Sequence, residues 1–303
     1  MDDTNMMSEG SIAKKIIYFA IPLFLGNLFQ QLYNTADSLI VGNFLGSSAL
    51  AAVASSGNLI FLLVGFFNGI SVGAGVVIAR FFGAHDHRRV HLSIHTTVAL
   101  GIVCGIVLTI LGVVFAPKIL ILMGTPQDVL PNSIIYFRVY FMGSLAFVLY
   151  NAFTGILQAL GDSKHPLYYL IISSVINVVL DVVFITVFDM GVGGAALATI
   201  ISQIVSAVLC FMHLIKLPAY PLKVQQIRFD LPMLKLVIQN GLPAGIQNSI
   251  IALANVVVQS YINSFGQMAV AGCGAYSKIE GFGFLPITCF ALAMTTFVSQ
   301  NIG

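Results

Sequence analysis

The sequence predicts an all-α protein that crosses a lipid bilayer many times, and three observations carry that expectation. Of 303 residues, 58% are hydrophobic and only 8% charged, against about 25% charged in an ordinary soluble domain. Apolar runs of about 20 residues, enough to cross a hydrocarbon core of about 30 Å, recur along the whole chain. The basic residues also sort to alternate junctions between these runs. With the N-terminus inside, Lys14, Lys15, Arg80, Arg88, Arg89, Lys164, Lys216, Lys223, Arg228 and Lys235 fall on cytoplasmic ends or loops, ten of thirteen in all. Lys118 falls outside, and Arg138 and Lys278 lie within spans. This bias predicts a multi-pass protein of the cell (plasma) membrane with a cytoplasmic N-terminus.

Eight helical spans are expected, at roughly 14–42, 47–80, 92–116, 131–160, 166–187, 192–217, 236–263 and 268–298. Turn-forming stretches divide them: "LGSS" at 45–48, "FGAHDHRR" at 82–89, "GTPQD" at 124–128, "GDSKHP" at 161–166, "DMGVGG" at 189–194, "LPAYP" at 217–221 and "FGQ" at 265–267. The first span follows an acidic N-terminus and Lys14–Lys15 with no small-residue cleavage pattern behind it, so it reads as a retained helix rather than a signal peptide. Pro22, without an amide hydrogen, should bend that helix. On the second span Gly65, Gly69 and Gly73, and on the third Gly101 and Gly105, form small-xxx-small surfaces for close helix packing. Cys104, Cys210, Cys273 and Cys289 lie singly within apolar runs and read as packed hydrophobes.

The chain also repeats itself faintly. "NFLGSSALAA" at 43–52 resembles "NSFGQMAVAG" at 263–272, and "AIPLFLGN" at 20–27 faces "GLPAGIQN" at 241–248. Parallel repeats of this kind are common in transporters. The expected organisation is a six-helix lobe over 1–217, a cytoplasmic linker over 218–235, and the first two helices of a second lobe over 236–303. The full form would have twelve helices, so a truncated form or fragment is expected.

Polar residues inside the spans point to function. In "NLFQQLYNTADSLIVGNF", Asn27, Gln30, Asn34 and Asp37 share one helical stripe, with Tyr33 one turn before Asp37. An acid facing lipid costs at least ~2.5–3.5 kcal/mol, so this face must look into protein or water. The amides alone would be content bonding to neighbouring helices. The fifth span reads "VINVVLDVVFI", which places Asn177 and Asp181 on one face. Two intramembrane carboxylates among amides and hydroxyls offer hard oxygen ligands to Na⁺, or a shared proton site. The sixth span begins "GVGGAALATIISQ"; its Thr199 either points inward or bonds back to its own helix. The seventh carries Asn248, Asn255, Gln259 and Asn263 along one stripe, a neutral counterpart of the first. The eighth carries Glu280, which would attract cationic substrates if it faces a central cavity, or pair with Lys278 or Arg138.

These residues carry a family resemblance. "IPLFLGNLFQQLYNTADSLIVGNFLGSSALAAVA", then "VINVVLD" and "GVGGAALATIISQ", resemble the multidrug and toxic compound extrusion (MATE) family, in the branch whose coupling acid lies in the N-terminal lobe. The resemblance implies that Asp37, Asn177, Asp181 and Thr199 form a proton or Na⁺ site, with Tyr33 and Tyr136 as hydrogen-bonding neighbours. Pro22 matches the proline at which the first helix bends. Gln30, Asn34, Asn248, Asn255, Gln259 and Glu280 are then expected around the substrate cavity. One departure stands out: members with a sodium-binding acid in the seventh helix carry it where this chain has Ile251.

The expected function is therefore a secondary active antiporter that exports organic, mostly cationic and aromatic compounds in exchange for H⁺ or Na⁺. A lipid-linked oligosaccharide flippase should show more inward basic residues than Arg138 and Lys278, and a channel should show a continuous polar lining. No phosphate-binding glycine loop, Ser-His-Asp order or nucleotide fingerprint is present, so an enzyme is not expected. No cofactor and no nucleic acid are expected, only the bilayer and small organic cations as partners, with the chain acting as a monomer. The loop "GAHDHRRVHLSIH" holds four histidines. It reads as a basic cytoplasmic loop, although His91 and His95 share a helical face that suits a metal.

Overall fold

The computed structural model describes residues 11–122, 125, 127, 129–265 and 267–302. Among them the chain is helical throughout, with no strand. Helix α1 (Ile12–Leu45) continues through Pro22 and ends at Gly46, whose φ of 84° turns the chain into α2 (Ser47–Gly83). Helix α3 (His87–Leu122) starts behind Asp86, whose carboxylate accepts the Arg89 amide hydrogen at 3.0 Å. Residues 87–91, expected in a loop, thus already belong to this helix.

The fourth expected span is two helices. α4 (Leu130–Met142) and α5 (Ser144–Ala159) meet at Gly143 with a bend of 49°. Here a side chain would collide with Ile200, so the glycine is dictated by close packing. α6 (Lys164–Val182) runs into a π-helical turn, Val183–Val187. α7 (Gly191–Ile215) follows. The connecting segment is tied to α3: His95 Nε2 accepts the Lys223 amide hydrogen at 3.1 Å, and Thr96 Oγ1 that of Asp230 at 3.1 Å. α8 (Leu231–Ser264) starts earlier than expected, because Asp230 caps it by accepting the Met233 amide hydrogen. α9 (Gln267–Ile302) completes the described chain.

By length and apolar character, six of the described helices can cross a bilayer, or seven if the bent α4–α5 pair counts as one span. α8 is not among them, since Gln239, Asn240, Gln247, Asn248 and Asn255 dilute its apolar sequence. It is held by geometry instead. Gly69 and Gly73 of α2 lie against the backbone of Gly245 and Gly241 of α8, so the two helices cross with their main chains in contact. The main core gathers α2, α3, α5, α6 and α7 around fully buried Ile78, Ile94, Ile156, Leu157 and Leu214. α1 lies against α6 on one side and α9 on the other. That position turns Asn27, Gln30 and Asp37 of its polar stripe toward neighbouring helices and leaves Asn34 exposed.

Candidate functional site

The stripe on α1 serves two places. At its lower end Pro22, Leu23, Gly26, Asn27 and Gln30 line a cavity of about 290 Å³, closed by α2, α5, α6 and α9. Its polar walls come from Asn68 and Ser71 on α2, Asn151, Thr154 and Gln158 on α5, and Thr295, Thr296 and Ser299 on α9. Among the described residues, no charged side chain lines it. These residues are not among those expected at the cavity from the sequence. Their spacings, 68/71 and 151/154/158, were the available sign of polar helix faces.

At the upper end Asp37 enters the junction of α1, α6 and α7. It is 9% exposed, Asn177 1% and Asp181 0%. The Asp37 and Asp181 carboxyls are close enough to interact electrostatically. Tyr33, one turn before Asp37 on α1, stands between this pair and the cavity, near the Gln30 and Gln203 side chains. Tyr136 of α4 is buried within electrostatic range of Asp37, Asp181 and Tyr33. Gln203 was overlooked, although it closes the motif that supplied Thr199 and stands one turn beyond it; it is 6% exposed.

Hydrogen bonding defines the chemistry of this junction. Among the described residues, the buried side-chain atoms without a hydrogen-bond partner are Asp37 Oδ1, both polar atoms of Asn177, both carboxyl oxygens of Asp181, Gln203 Oε1 and Thr154 Oγ1. All but the last belong to this one cluster. Buried polar groups are normally satisfied, and an orphaned one costs about 1–3 kcal/mol. Two carboxylates facing each other are acceptors only, so a proton or an oxygen-seeking cation is the partner that satisfies them. Two such charges in a low-dielectric interior do not both stay free of protons or cations. The π-helical turn begins two residues after Asp181, a distortion frequent at functional sites.

The other expected residues are dispersed. Thr199 donates its hydroxyl hydrogen to the Ala195 carbonyl at 3.1 Å, which leaves it acceptor capacity only. Asn34 is exposed and outside the cavity lining. Asn248 donates to the Gly65 carbonyl at 3.2 Å, binding α8 to α2. Asn255 is exposed, and the side chains of Gln259, Asn263 and Lys278 lie outside the described residues. Glu280 is partly exposed and accepts from the Tyr276 hydroxyl at 3.4 Å, while Arg138 donates to the Val113 carbonyl. His91 and His95 stack at 4.0 Å, but His95 uses one ring nitrogen on the His91 carbonyl and the other on Lys223. That pair is a structural tie rather than a metal site.

The MatE family model matches residues 22–183, a stretch that holds Asp37, Asn177 and Asp181. "Probable multidrug resistance protein YoeA" of Bacillus subtilis (strain 168) is 33% identical over 309 residues, covering 99% of this chain and 66% of that protein. "Multidrug export protein MepA" of Staphylococcus aureus (strain bovine RF122 / ET3-1) is 22% identical, covering 97% of this chain and 65% of its own length. A solved outward-facing multidrug resistance MATE family transporter of the MOP superfamily superimposes with a TM-score of 0.88 at 27% identity, covering 96% of this chain and 65% of that one. The chain thus spans about two thirds of the length of the relatives it matches.

Proposed function

This chain belongs to the MatE family, and from that membership we propose that it works as a multidrug efflux transporter rather than an enzyme, exporting organic, mostly cationic and aromatic compounds in exchange for H⁺ or Na⁺. The observation that supports the coupling is the buried Asp37–Asp181 pair, in which Asp37 Oδ1 and both Asp181 oxygens have no hydrogen-bond partner among the described residues. In this reading the pair holds the coupling ion. Asn177 and Thr199 offer neutral oxygens to a cation, and Tyr33 with Tyr136 shapes the surrounding hydrogen bonds. Gln30, on the wall of the cavity and near Tyr33, connects the substrate space to the ion site. Of the other residues expected around the cavity, Asn248 ties α8 to α2 and Asn34, Asn255 and Glu280 lie outside its lining; Pro22 would bend α1 as the lobes rock.

Coupling requires that ion and substrate favour different states, because a ligand of equal affinity for both shifts nothing. The inward ion flow supplies about 2.3 kcal/mol per monovalent charge for each 100 mV of potential, plus the ion gradient. The test is flux of a fluorescent organic cation in proteoliposomes, with a pH or Na⁺ gradient imposed or absent. Accumulation that appears only with one of the gradients supports antiport. Flux indifferent to both identifies a passive pathway, and movement of lipid-linked sugar instead of the dye identifies a flippase.

A further inference from the structure

A second cluster of metal-ligating side chains lies away from the ion site, where α5 ends, α6 begins and α7 ends. Asp162, His165 and His213 present one ligand atom each, all within 4.8 Å of one another, the group of this kind among the described residues. We propose that these three residues form a site for a divalent transition metal of the Zn²⁺ class. Two imidazoles and one carboxylate form the donor set such ions prefer, with a fourth position left for water.

Each ligand is held in place by something else. Asp162 Oδ1 accepts the amide hydrogens of Lys164 and His165, both at 3.2 Å, which fixes the carboxylate at the start of α6 and leaves Oδ2 for the cluster. Oδ2 lies 2.6 Å from His165 Nδ1 and 3.4 Å from His213 Nε2. A tetrahedral ion with ligands at about 2.0–2.1 Å separates its donors by about 3.4 Å. His213 already meets that spacing, and His165 needs to withdraw by less than ~1 Å. His213 Nδ1 pairs with the Tyr169 hydroxyl at 3.1 Å, so the ring keeps Nε2 for the metal; outer partners of this kind orient ligating histidines. Side-chain exposures of 47% for His165, 13% for Asp162 and 21% for His213 give an ion a path from solvent to a partly enclosed seat. Ser163 and Pro166, interleaved with Asp162 and His165, line the 290 Å³ cavity, so a bound ion would pin the cavity's rim to the end of α7.

The experiment is titration of the purified protein in detergent with Zn²⁺, and with Co²⁺ to read the visible absorption of a four-coordinate site. The expected result is one equivalent bound, weakened at least tenfold in His165→Gln and in His213→Gln. Tyr169→Phe should weaken binding by about tenfold while keeping all three ligands. His91→Gln, outside the cluster, should leave it unchanged. Thermal unfolding supplies a second reading: Zn²⁺ should raise the Tm of the parent but not of His165→Gln, whose exposed ring is dispensable to the fold. Equal Zn²⁺ affinity in parent, His165→Gln and His213→Gln, or loss confined to His91→Gln, would overturn the assignment.

Discussion

Asp37 and Asp181 lie near each other on two helices, with Asp37 Oδ1 and both Asp181 oxygens unpartnered among the described residues, and that pairing fixes what single substitutions should do. Asp37→Asn keeps the shape and polarity of the side chain but removes the charge, so the protein should still insert and fold while gradient-driven export falls at least tenfold, to background. Drug resistance of cells expressing the variant at parental levels checks this. Gln203→Leu removes an amide near Tyr33 and should reduce export several-fold without abolishing it, measured as initial efflux rate at matched expression. The two acids, Asn177 and Tyr33 were legible in the sequence because charge and amide inside an apolar span is costly wherever it occurs. Gln203 was not, because one more amide near a small-residue face looks the same whether it meets another helix or lipid. Thr199 illustrates the opposite limit: periodicity gave its position, but the bond to Ala195 depends on a side-chain torsion that no spacing reveals.

The crossing of α2 and α8 depends on glycine at the points where their backbones touch. A Cβ on Gly69 would meet the main chain of Ala244 and Gly245, whereas one on Gly65 would stand at an ordinary 3.9 Å from Asn248 Cβ. Gly69→Leu should therefore destabilise by about 1–3 kcal/mol or more through overpacking, and Gly65→Ala should be nearly neutral. Thermal unfolding in detergent, with the parent alongside, distinguishes them; equal Tm values for all three would contradict the packing. The sequence showed small-residue faces on α2 without saying what approaches them. Likewise it gave one span where the chain has α4 and α5, since a glycine within an apolar run does not announce a bend. Gly143 bends the chain because Ile200 of α7 occupies the space beside it, a tertiary fact. The polar stripe of α1 was seen as one face. Its division into a cavity wall at Asn27 and Gln30 and an ion site at Asp37 follows from the neighbours α1 meets at each level, which a single-helix period cannot supply.

At the scale of the whole molecule, a neutral polar cavity and a buried acid pair lie along one helix, joined through Gln30 and Tyr33. In the proposed cycle the pair exchanges its proton or cation when substrate binds. A cationic substrate and a proton compete for the same negative charge, so the sign is fixed. Protonation as pH falls removes that charge and weakens substrate binding, by at most tenfold per pH unit for each proton displaced. Na⁺, as coupling ion, would compete with the proton in the same direction. The direct measurement is the Kd of a fluorescent organic cation for the purified protein from about pH 5 to 8, in the parent, Asp37→Asn and Asp181→Asn. Parental affinity should fall steadily as pH drops across this range, and either substitution should flatten the profile. A flat parental profile, or a slope that survives in Asp181→Asn, would contradict that exchange.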